Sequence, residues 1–278
     1  CIRDSESTAA YFTQTATWKY VPAAQLPRKP SDILVEPILA EALMRLNPSM
    51  QGHPDRADEV IHKLRGILLM VQHLGLVRAN EQFCAWLLGV KTMPYGHHHQ
   101  HAPLRLIDFD NLSNNSFIVT NQYRVTAALE KIPDLVLLVN GIPLVVGEFK
   151  TPTRPAVSWF DGAADIHDDY EQNIPALFAP NVFSFATEGK YFRYGSIRMP
   201  LELWGPWRED RVEKGDETTA EILTAVGLQE VSQALRAMLQ PAVILDILRH
   251  FAIFATVSYT HLRAHETVLD LVCRLLLE

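Results

Sequence analysis

Between residues 131 and 150 the chain reads as two apolar runs, Leu135-Val136-Leu137-Leu138-Val139 and Ile142-Pro143-Leu144-Val145-Val146, joined by Asn140-Gly141. Asn-Gly between apolar runs is the strongest short-range hairpin signal, because both residues tolerate the positive φ of a type I′ turn. The polar exceptions stand at the open end. Asp134 precedes the first run. Glu148 and Lys150 close the second, two apart and therefore on one face of the strand. Folding the hairpin returns Asp134 to the neighbourhood of Glu148 and Lys150. Two carboxylates and an amine are thus expected to meet at one end of a very apolar platform.

Upstream, the spacing is helical. A short amphipathic helix is expected over 6–17, followed by an extended entry at 18–21. Ser31 or Asp32 can cap a helix running to Leu46, with Leu34, Ile38, Leu39, Ala42, Leu43 and Leu46 on one side. Pro37 falls in its first turns and Asn47-Pro48 ends it. A second helix starts at Pro54-Asp55, carries Val60, Ile61, Leu64, Ile67, Leu68, Val71 and Leu74, and closes at Gly75. A third, short helix is expected over 80–88. Together these form a helical insertion over about 31–90, whose charges (Glu59, Lys63, Arg65) read as a solvated face.

Strands are expected over 104–109 and 117–125, ahead of the hairpin. After it, Pro152 and Pro155 break the chain, and a helix over 161–173 leads to strands at 182–186 and 191–194. The order from Phe117 is strand, strand, strand, helix, strand, strand. That predicts an α/β (α+β) fold, a mixed central sheet with flanking helices. A charged connector over 201–215 precedes two helices, 218–239 and 241–254. Residues 257–278 break the pattern and resemble translated adapter or vector sequence. They are set aside, so Arg263, His265 and Cys273 are expected to carry no function. The start at Cys1 is expected not to be the native one.

Composition narrows the classes. The chain has 278 residues, 48% hydrophobic and 21% charged, which suits a globular protein. Its net charge of −7 is not the footprint of a general nucleic-acid binder, although a local basic groove is compatible with it. The three cysteines (Cys1, Cys84, Cys273) have no metal spacing, which fits a reducing cytoplasm. No signal peptide and no membrane-length apolar run is evident, so no membrane partner is expected. The tract His97-His98-His99-Gln100-His101 could bind a metal by composition. It lies on a polar loop between Pro94 and Pro103 with no acid or Cys at ligand spacing, so it reads as a loop.

The hairpin's polar end has a chemical use. Two carboxylates are hard oxygen ligands for Mg²⁺, which keeps several waters and takes only one or two protein carboxylates. A neighbouring lysine can orient or help activate a water. Either strand end alone would read as a charged terminus in solvent. Convergence of all three favours a site.

Pro133-Asp134 followed by Glu148-Phe149-Lys150 resembles the PD-(D/E)xK nuclease signature. The surrounding words sharpen the likeness: Arg105-Leu106-Ile107-Asp108-Phe109-Asp110, Asn114-Asn115-Ser116-Phe117-Ile118-Val119-Thr120-Asn121-Gln122-Tyr123, Val139-Asn140-Gly141-Ile142-Pro143-Leu144-Val145 and Ile174-Pro175-Ala176-Leu177-Phe178. These resemble the N-terminal endonuclease domain of the type I restriction enzyme R (motor) subunit. Leu245-Asp246-Ile247-Leu248-Arg249-His250-Phe251 is similar to the segment before that family's helicase-like motor, so the resemblance spans about residues 4–256.

The resemblance implies a restriction-endonuclease-like core over 1–200, and over 201–256 a connector and helices leading to a motor. It makes Asp134 and Glu148 ligands of Mg²⁺ or Mn²⁺ and Lys150 the catalytic lysine. Glu6, twelve residues before Trp18, takes the place of an auxiliary glutamate, or is a helix-face charge. Many members carry Gln-x-x-x-Tyr on the helix after the core. Tyr170 fits the Tyr, but Ile166 occupies the Gln position, so Asp165 or Asp168 substitutes or the contact is lost. Arg154 reads as a phosphate contact or a solvated loop residue.

The implied activity is metal-dependent phosphodiester cleavage of double-stranded DNA, alongside modification (M) and specificity (S) subunits. ATP belongs to the full-length parent, since no G-x-x-x-x-G-K-[ST] loop occurs in this sequence. The alternative is a non-catalytic DNA-binding or assembly module on a nuclease fold. The missing Gln and the acidic balance point that way, and the intact Asp134, Glu148 and Lys150 point against it.

Overall fold

The hairpin forms the middle of a six-stranded mixed sheet. Its strands are β1 (Lys19–Tyr20), β2 (Phe117–Asn121), β3 (Leu135–Val139), β4 (Ile142–Phe149), β5 (Phe183–Thr187) and β6 (Phe192–Gly195), side by side in that order. β1 runs parallel to β2 and β4 parallel to β5, while the other neighbours are antiparallel. Every residue of β3 and β4 is buried, as two-sided apolar runs require. The structure, a computed structural model, describes residues 18–94, 101–151, 157–207 and 229–251. The expected helix over 6–17 with Glu6, residues 95–100 of the His loop, Arg154 and the tail lie outside the described residues.

The register of the hairpin decides what its open end can do. Asn140 and Gly141 take φ of 51° and 80°, as the turn demands. A two-residue turn followed by an unbroken ladder would set Asp134 opposite Gly147 and send Glu148 to the other face. The ladder does not run unbroken. Leu138 faces Pro143 but Leu137 faces Val145, so Leu144 is an extra residue on β4. Below this bulge Leu135 stands opposite Gly147, which brings Asp134 opposite Glu148. Pro143 marks the place, because it has no N–H to give a ladder and is tolerated in sheets at edges and bulges.

One layer of helices covers the sheet: α1 (Glu36–Leu46), α2 (Pro54–Leu69), α3 (Val71–Leu74) and α4 (Leu76–Leu87). The sequence placed the start of α1 at Ser31 or Asp32. It starts at Glu36 instead, with Pro37 in the first turn, where its missing N–H is not needed. The residues before it are buried and tie α1 to the hairpin, since Val35 N donates to Gly141 O at 2.8 Å. The single helix expected over 54–74 breaks at Met70 into α2 and α3. Gly75, at φ 78°, then leads into α4 four residues earlier than expected. Asn80 is buried within α4 because its Nδ2 donates to Ala179 O and Asn181 O, both at 2.9 Å. That anchors the helical layer to the loop before β5.

The strand expected over 104–109 does not form. Its apolar residues Leu104, Leu106 and Ile107 are buried, yet asparagine side chains take the place of a ladder partner. Asn47 bridges the Arg105 N–H (2.9 Å) and carbonyl (2.8 Å), and Asn140 Nδ2 donates to Leu106 O at 2.8 Å. Only Ala102–Pro103 pairs, with Thr92–Met93. The strand expected over 117–125 stops at Asn121, where Gln122 turns the chain with φ 52°. Val125–Thr126 then pairs separately with Glu130–Lys131.

The crossover from β4 to β5 is α5 (Trp159–Ala164), a π-helical segment (Asp165–Tyr170) and α6 (Glu171–Asn173). Two further helices follow, α7 (Gln229–Arg236) and α8 (Pro241–His250); α7 sits against β6, where Glu230 Oε2 accepts from Phe192 N at 3.1 Å, and the turn between the two helices reaches Trp18. Buried Trp18 donates its Nε1 to Leu239 O at 2.8 Å and meets Phe117 edge-to-face at 5.6 Å. Among the described residues, no single helix is long and apolar enough to cross a membrane.

Glu171 fixes the crossover to the turn after β6. Its Oε2 accepts from Arg198 N at 3.0 Å, while its Oε1 is buried with no partner. Burial raises its pKa from 4.5 to about 7, against the pull of Arg198. The folded state therefore holds a proton that the unfolded state has lost between those values, and stability falls as pH rises through that window. Glu171→Gln imitates the protonated form. It is expected to be more stable than wild type above pH 7, by on the order of 2 kcal/mol, with the gap closing towards pH 4.5. Urea unfolding of both proteins across this range measures it. A constant gap would overturn the assignment.

Candidate active site

The open end of the hairpin gathers Asp134, Glu148 and Lys150. Asp134 and Glu148 are each 5% exposed. Asp134 is held from three sides. Its Oδ2 accepts from Phe149 N at 2.9 Å, its Oδ1 accepts from Gln122 Nε2 at 2.9 Å, and its own N–H points to Glu148 Oε2 at 3.4 Å. Tyr170 OH donates to Glu148 Oε2 at 3.3 Å, and Lys150 Nζ lies 3.3 Å from Glu148 Oε1. The ammonium also pairs with Asp165 Oδ2. The three residues singled out in the sequence are thus brought together, with Tyr170 beside them.

The electrostatics follow from this packing. Burial, then the neighbouring Asp134 charge, pushes Glu148 up to about 8, with Lys150 opposing. Burial also raises Asp134, against the hydrogen bonds from Phe149 and Gln122. Burial lowers the Lys150 pKa, but Asp165 and Glu148 outweigh it and the net direction is upward. Tyr170 is raised by burial and by the Glu148 charge, so it is a hydrogen-bond donor at neutral pH. Two buried carboxylates that resist sharing a second negative charge, with a lysine on one flank, form an arrangement in which a hard cation would favour the doubly ionised pair. Among the described residues, no three His, Cys, Asp or Glu side chains form a metal-holding group. The Asp134–Glu148 pair is the two-carboxylate set that Mg²⁺ accepts when water fills its other positions.

The crossover helix closes over the same end. Ser158 and Asp161 form a reciprocal capping box at the start of α5, and Glu188 Oε2 accepts from Trp159 N at 2.9 Å. Gly162 allows the close approach. A Cβ there would lie 3.3 Å from Ala186 Cβ and 3.5 Å from the Cγ atoms of both Glu148 and Lys150. Of the two acids offered as substitutes for the absent Gln, Asp165 reaches the site, while Asp168 pairs with His167 at 2.7 Å. Ile166 is fully buried. His101 lies away from this cluster, its Nδ1 3.0 Å from Thr92 Oγ1.

Sequence reasoning missed Gln122. It becomes a neighbour of Asp134 only because β2 pairs antiparallel with β3, setting Asn121 opposite Leu135 and Gln122 N on Asp134 O at 2.9 Å. A signal was present, since a polar Asn-Gln ends the apolar strand at the level where Asp134 opens its own.

A mixed sheet whose central hairpin carries Asp opposite Glu-x-Lys, under a crossover helix, is a restriction-endonuclease-like arrangement. The family comparison agrees. The model of the type I restriction enzyme R protein N terminus matches residues 7–202, and the chain belongs to that family. It is 26% identical over 264 residues to the type I restriction enzyme HindI endonuclease subunit of Haemophilus influenzae, covering 90% of this chain and 24% of that protein. It is 31% identical over 118 residues to a Methanocaldococcus jannaschii protein named "Putative type I restriction enzyme MjaIXP endonuclease subunit", covering 41% of this chain and 11% of the relative. The chain therefore spans about a quarter of the Haemophilus relative and about a ninth of the archaeal one.

Proposed function

We propose that this chain is the nuclease part of a type I restriction enzyme R subunit and cuts double-stranded DNA by metal-dependent phosphodiester hydrolysis. The observation that carries the reading is the bulge-set register, which puts Asp134 opposite Glu148 with Lys150 on the same face. Family membership and the relatives' names as endonuclease subunits support it. Residues 1–200 would be the nuclease unit and 201–256 the lead towards a motor.

Asp134 and Glu148 would hold Mg²⁺ or Mn²⁺. Such an ion supplies Lewis acidity and charge neutralisation at the scissile phosphate. Asp134 is fixed for this by Phe149 N and Gln122, and Glu148 by Tyr170. Lys150 donates a hydrogen bond towards the attacking water or a phosphate oxygen. The buried strands keep the group rigid, as ligands that must stay in place require. The partners that follow are duplex DNA and the M and S subunits, in the cytoplasm, with ATP used by the full-length parent.

Nicking of supercoiled plasmid by the assembled complex, with Mg²⁺ and with chelator, tests the reading. Mg²⁺-dependent nicks that Asp134→Ala abolishes are expected. Unchanged cleavage by Asp134→Ala would leave the non-catalytic module as the better account.

A further inference from the structure

Asp165 and Tyr170 are five residues apart, and an α-helix would point them about 140° away from each other. The π-helical turn over Asp165–Tyr170 stacks them instead, since its bonds run from i to i+5. Both then reach β4, Tyr170 at Glu148 Oε2 and Asp165 at Lys150 Nζ. Glu148 Oε2 already receives Tyr170 OH and Asp134 N, so Oε1 is its less engaged oxygen, and that is the one Lys150 faces at 3.3 Å. The ammonium is shared with Asp165, and without that second partner it would close onto Oε1 alone. We propose that Asp165 is a positioning residue that shares the Lys150 ammonium, leaving it only a long 3.3 Å contact with Glu148 Oε1 that a divalent cation can displace. The inference rests on the nuclease reading for the cation and on the π-turn geometry for the tether. The capping box at Ser158 and Asp161, and the close seat of Gly162 on β4, fix where Asp165 stands.

Mn²⁺ binding to the intact polypeptide without DNA, read from the electron paramagnetic resonance of free ion, tests it. Asp165→Asn is expected to bind Mn²⁺ about tenfold more weakly, the usual scale for a partner behind a metal ligand, and Asp165→Glu to recover part of the loss. In a Lys150→Met background Asp165→Asn should change nothing further, because Asp165 acts through Lys150. The same loss in that background would make Asp165 a direct ligand or a bare field effect and overturn the proposal. So would wild-type Mn²⁺ binding by Asp165→Asn. In plasmid nicking, the Mg²⁺ needed for half-maximal rate should rise about tenfold in Asp165→Asn while KM for DNA holds. Failure of the nuclease reading shows differently, as a wild-type complex that does not nick at any Mg²⁺ concentration.

Discussion

Lys150→Ala in the assembled complex is expected to slow Mg²⁺-dependent nicking by about 10³-fold, the scale on which a positioned proton-handling group contributes. The side chain is only 20% exposed and lies between Glu148 and Asp165 on the open side of the site. Its removal deletes the donor that would face a water or phosphate. It also leaves Glu148 beside Asp134 and Asp165 without the neighbouring positive charge. The ion-free variant should therefore unfold at lower urea than wild type, and a divalent cation should recover more stability in the variant than in wild type, since a ligand that binds the folded form stabilises it by mass action. Lys150→Arg should not rescue cleavage. A planar guanidinium fork does not reproduce a compact ammonium in the space left by Gly162. Single-turnover nicking, with DNA binding measured alongside, decides it. A Lys150→Ala complex that binds and cuts at the wild-type rate would remove Lys150 from the chemistry.

The hairpin and its three polar residues could be read from the chain because they depend on local pattern, two apolar runs, one Asn-Gly and a period of two. The helices were legible from their 3.6-residue period, though their ends moved by four or five residues where Pro37, Met70 and Gly75 act. What could not be read was what depends on long-range pairing. The sequence shows Pro143, but nothing local says that Leu144 will be the extra residue that turns Glu148 towards Asp134. The segment 104–109 carries a strand-like apolar pattern, and its apolar side chains are indeed buried. Its backbone is satisfied by Asn47 and Asn140, the first 58 and the second 34 residues away. Asp165 was one of two acids beside Ile166 offered for the missing Gln, and α-helical spacing would have turned it about 140° from Tyr170. The π turn that joins them leaves no signature in hydrophobic period. The family resemblance pointed to Tyr170, while Gln122 needed the β2–β3 register.

Gly141→Ala should destabilise the fold by about 3 kcal/mol, although it adds one methyl group far from the chemistry. Left-handed backbone costs an L-residue on the order of 1–2 kcal/mol, and forced overlap in a packed interior adds about 1–3 kcal/mol. Both apply here. Gly141 has φ 80°, and a Cβ on it would lie 2.6 Å from Val35 O and 3.1 Å from Leu39 N. The neighbouring chain has little room to retreat, because Val35 N donates to Gly141 O at 2.8 Å and the first turn of α1 follows directly. On the other side Asn140 is fully buried, its side chain accepting from Ser116 N at 2.8 Å and donating to Leu106 O at 2.8 Å. The tip is thus a buried junction where the hairpin, α1 and the strand-like segment lock together. Gly52→Ala separates the two costs, since Gly52 has φ 78° with nothing within 4 Å of a Cβ, and it should lose only the backbone part. Urea unfolding of both variants gives the comparison. Equal losses would mean that α1 yields to the added methyl, and that the tip does not clamp the helical layer to the strands that carry Asp134 and Glu148.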